Sequence, residues 1–155
     1  MTAVAGNAST KTSLLLAQLA PIRQPGIYVF ARIADDVHID PGACLCVMNE
    51  PEGRSIIADI QHLPVGAVMT DYRAAWITLA VASRLEDVGL TAAVAQCLAT
   101  AGISCNVVAG VRHDHLFVPL EAADRTLSLL ETLQHEARDA LARADIRAAE
   151  SGAPT

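Results

Sequence analysis

Three groups of residues in this chain have types and spacings that could do chemistry. The first is Glu86-Asp87-Val88-Gly89-Leu90-Thr91, two acids and a glycine ahead of an apolar stripe at helical spacing. A glycine there lets a ligand come close to the backbone. The free N–H groups of Leu90 and Thr91 would point out of the first turn, where the helix dipole favours an anion such as a carboxylate. An ammonium would need an acidic partner, and Glu86 and Asp114 are available. The plainer reading is that Glu86 or Asp87 caps the helix and that Gly89 permits close helix–strand contact. The second group is Val111-Arg112-His113-Asp114-His115. In an extended segment the two imidazoles share one face and could ligate a metal. No third ligand is evident, although His38 and His62 exist, so a hydrogen-bonded hairpin is preferred and no metal site is assigned. The third group is the four cysteines, Cys44, Cys46, Cys97 and Cys105. They form no CxxC pair. Cys44 and Cys46 fall on one face of a strand, which is not the usual spacing of a zinc clip. Cys105 and His113 could meet across neighbouring strands as a dyad, but Cys105 also fits a plain core position, which is the preferred reading. Glu50 and Glu52 flank Pro51 and precede Gly53, which makes a turn with solvated charges. No phosphate-binding GxxxxGK[ST] loop occurs. No catalytic residue and no cofactor are therefore assigned.

These groups have to be held by regular elements, and the sequence marks most of them. A short helix reads from Ser13 to Leu19, closed by Pro21 and Pro25-Gly26. Ile27 to Ile33 is a β-rich run, Cys44 to Met48 a second strand and Ser55 to Ala58 a third. Asp59 to Val68 reads as a short helix broken by Pro64 and Gly66. Ala75 to Ala82 is a strand. Leu90, Val94, Leu98 and Ala101 recur at helical spacing and predict an amphipathic helix over Asp87 to Thr100, ended by Gly102. Ile103 to Ala109 and His115 to Val118 make a hairpin. Pro119 starts a further helix with a buried stripe of Leu120, Ala123, Leu127 and Leu130. The order from Trp76 is thus β-α-β-β-α, a ferredoxin-like unit lacking its last strand. The N-terminal half must supply that strand, which makes the two halves intertwined.

Composition removes several function classes. Eleven Lys and Arg against 17 Asp and Glu give a net charge of −6, with no basic patch, so nucleic acid is not an expected partner. Apolar stretches are interrupted well before the roughly 18 residues that a membrane span needs, so no membrane partner is expected either. The N-terminus shows no charged region followed by an apolar one, so no signal peptide is indicated and the cytoplasm is the expected location. Aromatic residues are only 3% of the chain, which leaves a core of Ala, Val, Leu and Ile suited to thin α/β layers.

The stretch from Leu85 to Val94, followed by Leu98-Ala99-Thr100-Ala101-Gly102-Ile103-Ser104-Cys105-Asn106-Val107-Val108, resembles the ACT domain. That pattern runs from an acidic residue through a glycine and an apolar helix to Ala-Gly-Ile and a strand. His113-Asp114-His115-Leu116-Phe117-Val118-Pro119 lies at its proper distance, and Asn49-Glu50-Pro51-Glu52-Gly53 also fits. The chain is similar to small bacterial tandem ACT-like proteins and to the ACT modules of Castor-type arginine sensors. Val111 and Arg112 depart from the latter, which carry aromatic side chains there. The resemblance implies an α+β fold of ferredoxin-like βαββαβ modules, antiparallel sheets with helices on one face. It divides the chain into a disordered end (1–12), an N-terminal ACT-like half (13–74), a C-terminal ACT domain (75–134) and a helical extension with a frayed tail (135–155). It implies a non-catalytic regulatory protein that binds an amino acid or a derivative at Glu86, Asp87, Val88, Gly89, Leu90 and Thr91, with Val111, His113 and Asp114 from the hairpin. A homo-oligomer, most simply a dimer, is expected. The alternative is an interaction module that oligomerises through its sheet edges without a ligand.

Overall fold

A computed structural model describes residues 3–40 and 42–151. One seven-stranded antiparallel sheet runs through both halves. Its order is β3 (Cys44–Glu50), β4 (Gly53–Asp59), β2 (Tyr28–Ile33), β5 (Val68–Leu79), β7 (Asp114–Pro119) and β6 (Asn106–Ala109), with β1 (Pro21–Arg23) also paired to β5. Three α-helices accompany it: α1 (Ala3–Ala17), α2 (Leu90–Thr100) and α3 (Ala123–Ser151).

Strand β5 is the key to the organisation. Its first half, from Val68 to Ala74, pairs with β2, and its second half, from Ala74 to Leu79, pairs with β7. Strand β1 pairs with the same second half, Pro21 to Arg23 against Leu79 to Ile77. The C-terminal module is therefore β5-α2-β6-β7-α3 with β1 as its borrowed fourth strand, the expected N-terminal contribution. The N-terminal module is β2-β3-β4-β5 in the same spatial order. Residues 34–40 and 42–43, outside any helix or strand, and the 3₁₀ turn Ile60–His62 stand where its two helices would be. The two modules share β5, and the division expected at 74/75 falls inside it.

Periodicity explains which faces are buried. In β5, Ala75, Ile77 and Leu79 alternate onto the helix-covered face. There they meet Leu116 and Val118 of β7, Leu90, Val94 and Leu98 of α2, and Leu130 of α3. Leu15, Leu16 and Leu19 close this core from the N-terminal side. In the N-terminal module Ala31, Ile33, Ile56 and Ala58 lie under loop residues Val37, Ile39, Leu63 and Ala67. The opposite face carries the aromatic residues, with Tyr28, Phe117 and Ile57 buried and Phe30, Tyr72 and Trp76 packed against them.

Several expectations need correction. Helix α1 begins at Ala3, so the end expected to be disordered over 1–12 is helical from Ala3 onward; Met1 and Thr2 lie outside the described residues. Its C-terminal end is fixed by Leu15 and Leu16 in the core, by Arg138 donating to Ala17 O at 2.7 Å, and by Gln134 donating to Leu19 O. Pro119 does not start a helix. It closes β7 opposite Ala74 in extended conformation, and a 3₁₀ turn, Leu120–Ala122, leads into α3. Helix α3 then runs to Ser151; residues 152–155, part of the expected frayed tail, and Pro41, part of an expected turn, are outside the described residues. Cys44 and Cys46 do not share a face. A bulge between them shifts the register, so Cys44 opposes Ala58 and Cys46 opposes Ile57, on opposite sides of the sheet.

Candidate functional site

A cavity of about 100 Å³ sits where β5 hands over to α2. Ser83, Arg84, Leu85 and Asp87 of the connecting loop line it, with Leu90 and Thr91 of α2 and Ala109, Gly110 and Asp114 from the β6–β7 hairpin. It lies at one end of the helix-covered layer, where the loop after the module's first strand faces its hairpin.

Gly89 is the N-cap residue of α2, at φ +108°, in the left-handed region. A Cβ there would meet Thr12 Oγ1 at 2.4 Å, so conformation and space both require glycine. Thr12 Oγ1 in turn donates to Val88 O at 2.9 Å, tying the loop to α1. Glycine has no side-chain acceptor, and α2 has no side-chain cap. The helix's first turn donates Ala93 N–H to Gly89 O at 2.9 Å, leaving the N–H groups of residues 90–92 as the uncapped end. The dipole concentrates partial positive charge at that end.

Asp87 is committed to the scaffold. Its Oδ2 accepts the backbone N–H of Arg84 at 3.0 Å, and its Oδ1 receives the Lys11 ammonium. The Arg84 N–H first, then the Lys11 ammonium, hold its carboxyl below the ordinary range. Glu86 is exposed and pairs with Arg84 Nη1 at 3.4 Å. Arg84 therefore leans on both acids, with Nε 3.5 Å from Asp87 Oδ1, while its chain lines the cavity. The Thr91 hydroxyl donates to Asp114 Oδ2 at a long 3.4 Å. The cavity thus combines a helix N-terminus and a guanidinium with a carboxylate. That arrangement of opposite charges matches a small zwitterion.

The structure gathers four of the nine candidate residues around this cavity: Asp87, Leu90, Thr91 and Asp114. Gly89 shapes the backbone beside it. Glu86, Val88 and Val111 point to solvent, Val111 at 86% exposure. His113 turns away, with Nδ1 3.3 Å from Val81 O, and ties the hairpin to the end of the β5 segment. Sequence reasoning missed Ser83, Arg84 and Leu85, which lie N-terminal to the acidic pair in a loop without periodicity, and Ala109–Gly110. Gly110 carried a signal, a glycine between two expected strands, and the structure gives its reason: a Cβ there would lie 2.8 Å from His113 O.

The remaining chemistry candidates separate. His115 lies on the other face, accepting Trp76 Nε1–H at Nδ1 over 3.0 Å. Cys105 sits at the far end of the β6–β7 pair from His113 and packs into the core, where burial raises its thiol to about 11. Glu50 accepts from the Ser55 hydroxyl in the β3–β4 turn. Among the described residues, no three His, Cys, Asp or Glu side chains group as metal ligands. No helix among them is long and apolar enough to cross a membrane.

Two sequence profiles, both described as ACT domain, match the chain, one over residues 72–132 and the other over residues 8–62. No curated protein sequence matches it. Among solved structures it is similar to a Vibrio cholerae protein of unknown function, described as a possible transport protein. Identity is 34% over 82% of this chain and 98% of the other, with a TM-score of 0.72. An Agrobacterium tumefaciens protein aligns at 21% identity over 76% and 90% of the two chains, with a TM-score of 0.59. The regulatory subunit of aspartate kinase from Thermus thermophilus shares the fold at 10% identity over 73% and 95%, with a TM-score of 0.53.

Proposed function

The chain belongs to the ACT domain family, and on that premise we propose that it is a regulatory module binding one small amino-acid-type zwitterion between the α2 N-terminus and Asp114. The observation that carries this reading is the carboxylate of Asp114, whose bond from Thr91 is a long 3.4 Å, facing a helix start that has no side-chain cap. The ligand carboxylate takes the N–H groups of residues 90–92, assisted by Arg84, and its ammonium takes Asp114. A cavity of about 100 Å³ admits a compact ligand and pushes any longer side chain outward past exposed Leu85. The fold shared with the aspartate kinase regulatory subunit agrees with a regulatory, non-catalytic role. Glu86, Val88, Val111 and His113 then act on ligand access or loop position.

A thermal-shift screen of amino acids and close derivatives tests the proposal. A ligand at about 100 times its dissociation constant adds roughly 2.7 kcal/mol of stability. Asp114→Ala is expected to weaken a hit by one to two orders of magnitude, roughly the worth of one charge-assisted hydrogen bond. A panel without hits sinks the reading. One observation favours assembly as a second role. Edge strand β3 exposes Leu45, Val47 and Met48, each near 45% exposure, a surface suited to pairing with a second copy.

A further inference from the structure

The aromatic face of the sheet holds a second cavity, of about 300 Å³, lined by Leu45, Cys46, Trp76, Val108, His115 and Phe117. Leu45 and Cys46 belong to β3 and Val108 to β6, the strands at opposite ends of the sheet order. The sheet is therefore curled far enough that its two edges wall one space, with Trp76 and Phe117 as the floor. The volume lies at the lower end of the range for small-molecule sites, roughly 300–1,000 Å³.

One polar group in the lining has a defined orientation. Trp76 Nε1–H can only donate, so His115 Nδ1, 3.0 Å away, must accept. The Thr78 hydroxyl, which accepts from Gln24 Nε2 at 3.1 Å, lies 3.3 Å from the same Nδ1. This network fixes the neutral tautomer with its proton on Nε2. Nε2 lies beside the Gly110 backbone, 3.1 Å from where a Cβ on that glycine would stand, with no hydrogen-bond partner among the described residues, and no charged side chain lines the cavity. The Trp76 and His115 rings pack edge to face, their centroids 5.4 Å apart and their planes at 63°.

We propose that this cavity is a second ligand site, for a small neutral aromatic molecule carrying one hydrogen-bond acceptor. The acceptor takes His115 Nε2–H while the ring packs against Trp76 and Phe117. Such a ligand touches β3 and β6 together and so bridges the two modules across the open side of the sheet. A charged ligand is disfavoured because nothing in the lining offers a counter-charge. The zwitterion cavity lies on the other face, with Gly110 between the two: it lines that cavity, and a Cβ on it would stand 3.1 Å from His115 Nε2.

Trp76 is the chain's single tryptophan, so its indole N–H gives one NMR cross-peak. Benzamide is the probe, with toluene (no acceptor) and benzoate (charged) as comparisons. Benzamide is expected to shift the peak saturably below roughly 10 mM, ahead of both comparisons. Val108→Phe, which fills the space, should abolish the shift; Leu45→Phe serves should that variant not fold. His115→Phe should weaken benzamide about fivefold to tenfold, the worth of one neutral hydrogen bond, and His115→Gln should restore part of it. The proposal is overturned by a shift that never saturates, by one that survives both filling variants, or by toluene or benzoate binding as well as benzamide. A shift that follows protein concentration instead of benzamide would overturn it too, and would mark the cavity as a contact with a second copy.

Discussion

At the scale of single residues, the site depends on Gly89 and Asp87 for its shape and on Asp114 for its charge. Gly89→Ala places a Cβ against Thr12 at φ +108°, so urea unfolding should show a loss of about 2 kcal/mol; an unchanged midpoint would mean that α1 and the loop are not pressed together. Asp87 acts through its ionised form, which Arg84 N–H and Lys11 favour in the fold. Its contribution is present above the unfolded carboxyl's pKa, near 3.8, and fades as pH falls through the depressed folded value. Asp87→Asn should therefore be less stable than the parent at neutral pH, with the gap closing in acid. His115 has the opposite chemistry. Burial first, then the nearby His113, keep it neutral and lower its pKa, against a smaller opposing pull from Asp114. The unfolded chain binds its proton more readily, so stability should fall as pH drops below about 6.5. Denaturation midpoints between pH 7.5 and 5.5 check this, and His115→Gln should flatten the profile.

At the scale of elements, the clearest asymmetry is that one module keeps its crossover helix and the other does not. In the N-terminal module Arg54 takes on the task of ordering the crossover. Its Nη2 lies 2.6 to 2.7 Å from the carbonyls of Ala34, Asp35 and Val37, which share its two N–H groups. Arg54→Ala should cost about 2–3 kcal/mol and raise hydrogen exchange in residues 34–39 well beyond the rise in α2 amides; an equal rise in both would show that the loop does not open locally. What the sequence made legible follows the same division. The Leu90, Val94, Leu98 stripe predicts α2 because three residues at helical spacing must be buried together, and all three are. Strand β2 was legible as a β-rich run, and the β6–β7 hairpin from two strand-forming stretches around Gly110. Strand β1 was not, because three residues have no period of their own and Pro21–Arg23 become a strand only through pairing with β5. The Leu45 bulge was equally hidden, since register belongs to the pair of strands and not to either alone. Within the site, Thr91 and Asp114 were legible as polar residues beside a glycine-started helix, whereas Arg84 enters by loop geometry.

At the scale of the whole molecule, β5 joins the two modules into one sheet, with Ala74 wholly buried at the point where its partners change. The modules should therefore unfold in a single transition. Denaturant-dependent hydrogen exchange of β2 and β7 amides should converge on one global free energy; two separated values would show that β5 does not couple them. The central claim is that a ligand carboxylate sits on the start of α2 and its ammonium on Asp114. The most direct test is amide NMR with the best amino acid from the thermal screen, set beside its carboxamide, which lacks the negative charge. The account predicts that the amides of residues 90–92 show the largest shifts, that the carboxamide binds much more weakly, and that Asp114→Ala weakens both. Shifts centred elsewhere, or equal binding of the amino acid and its carboxamide, would contradict it.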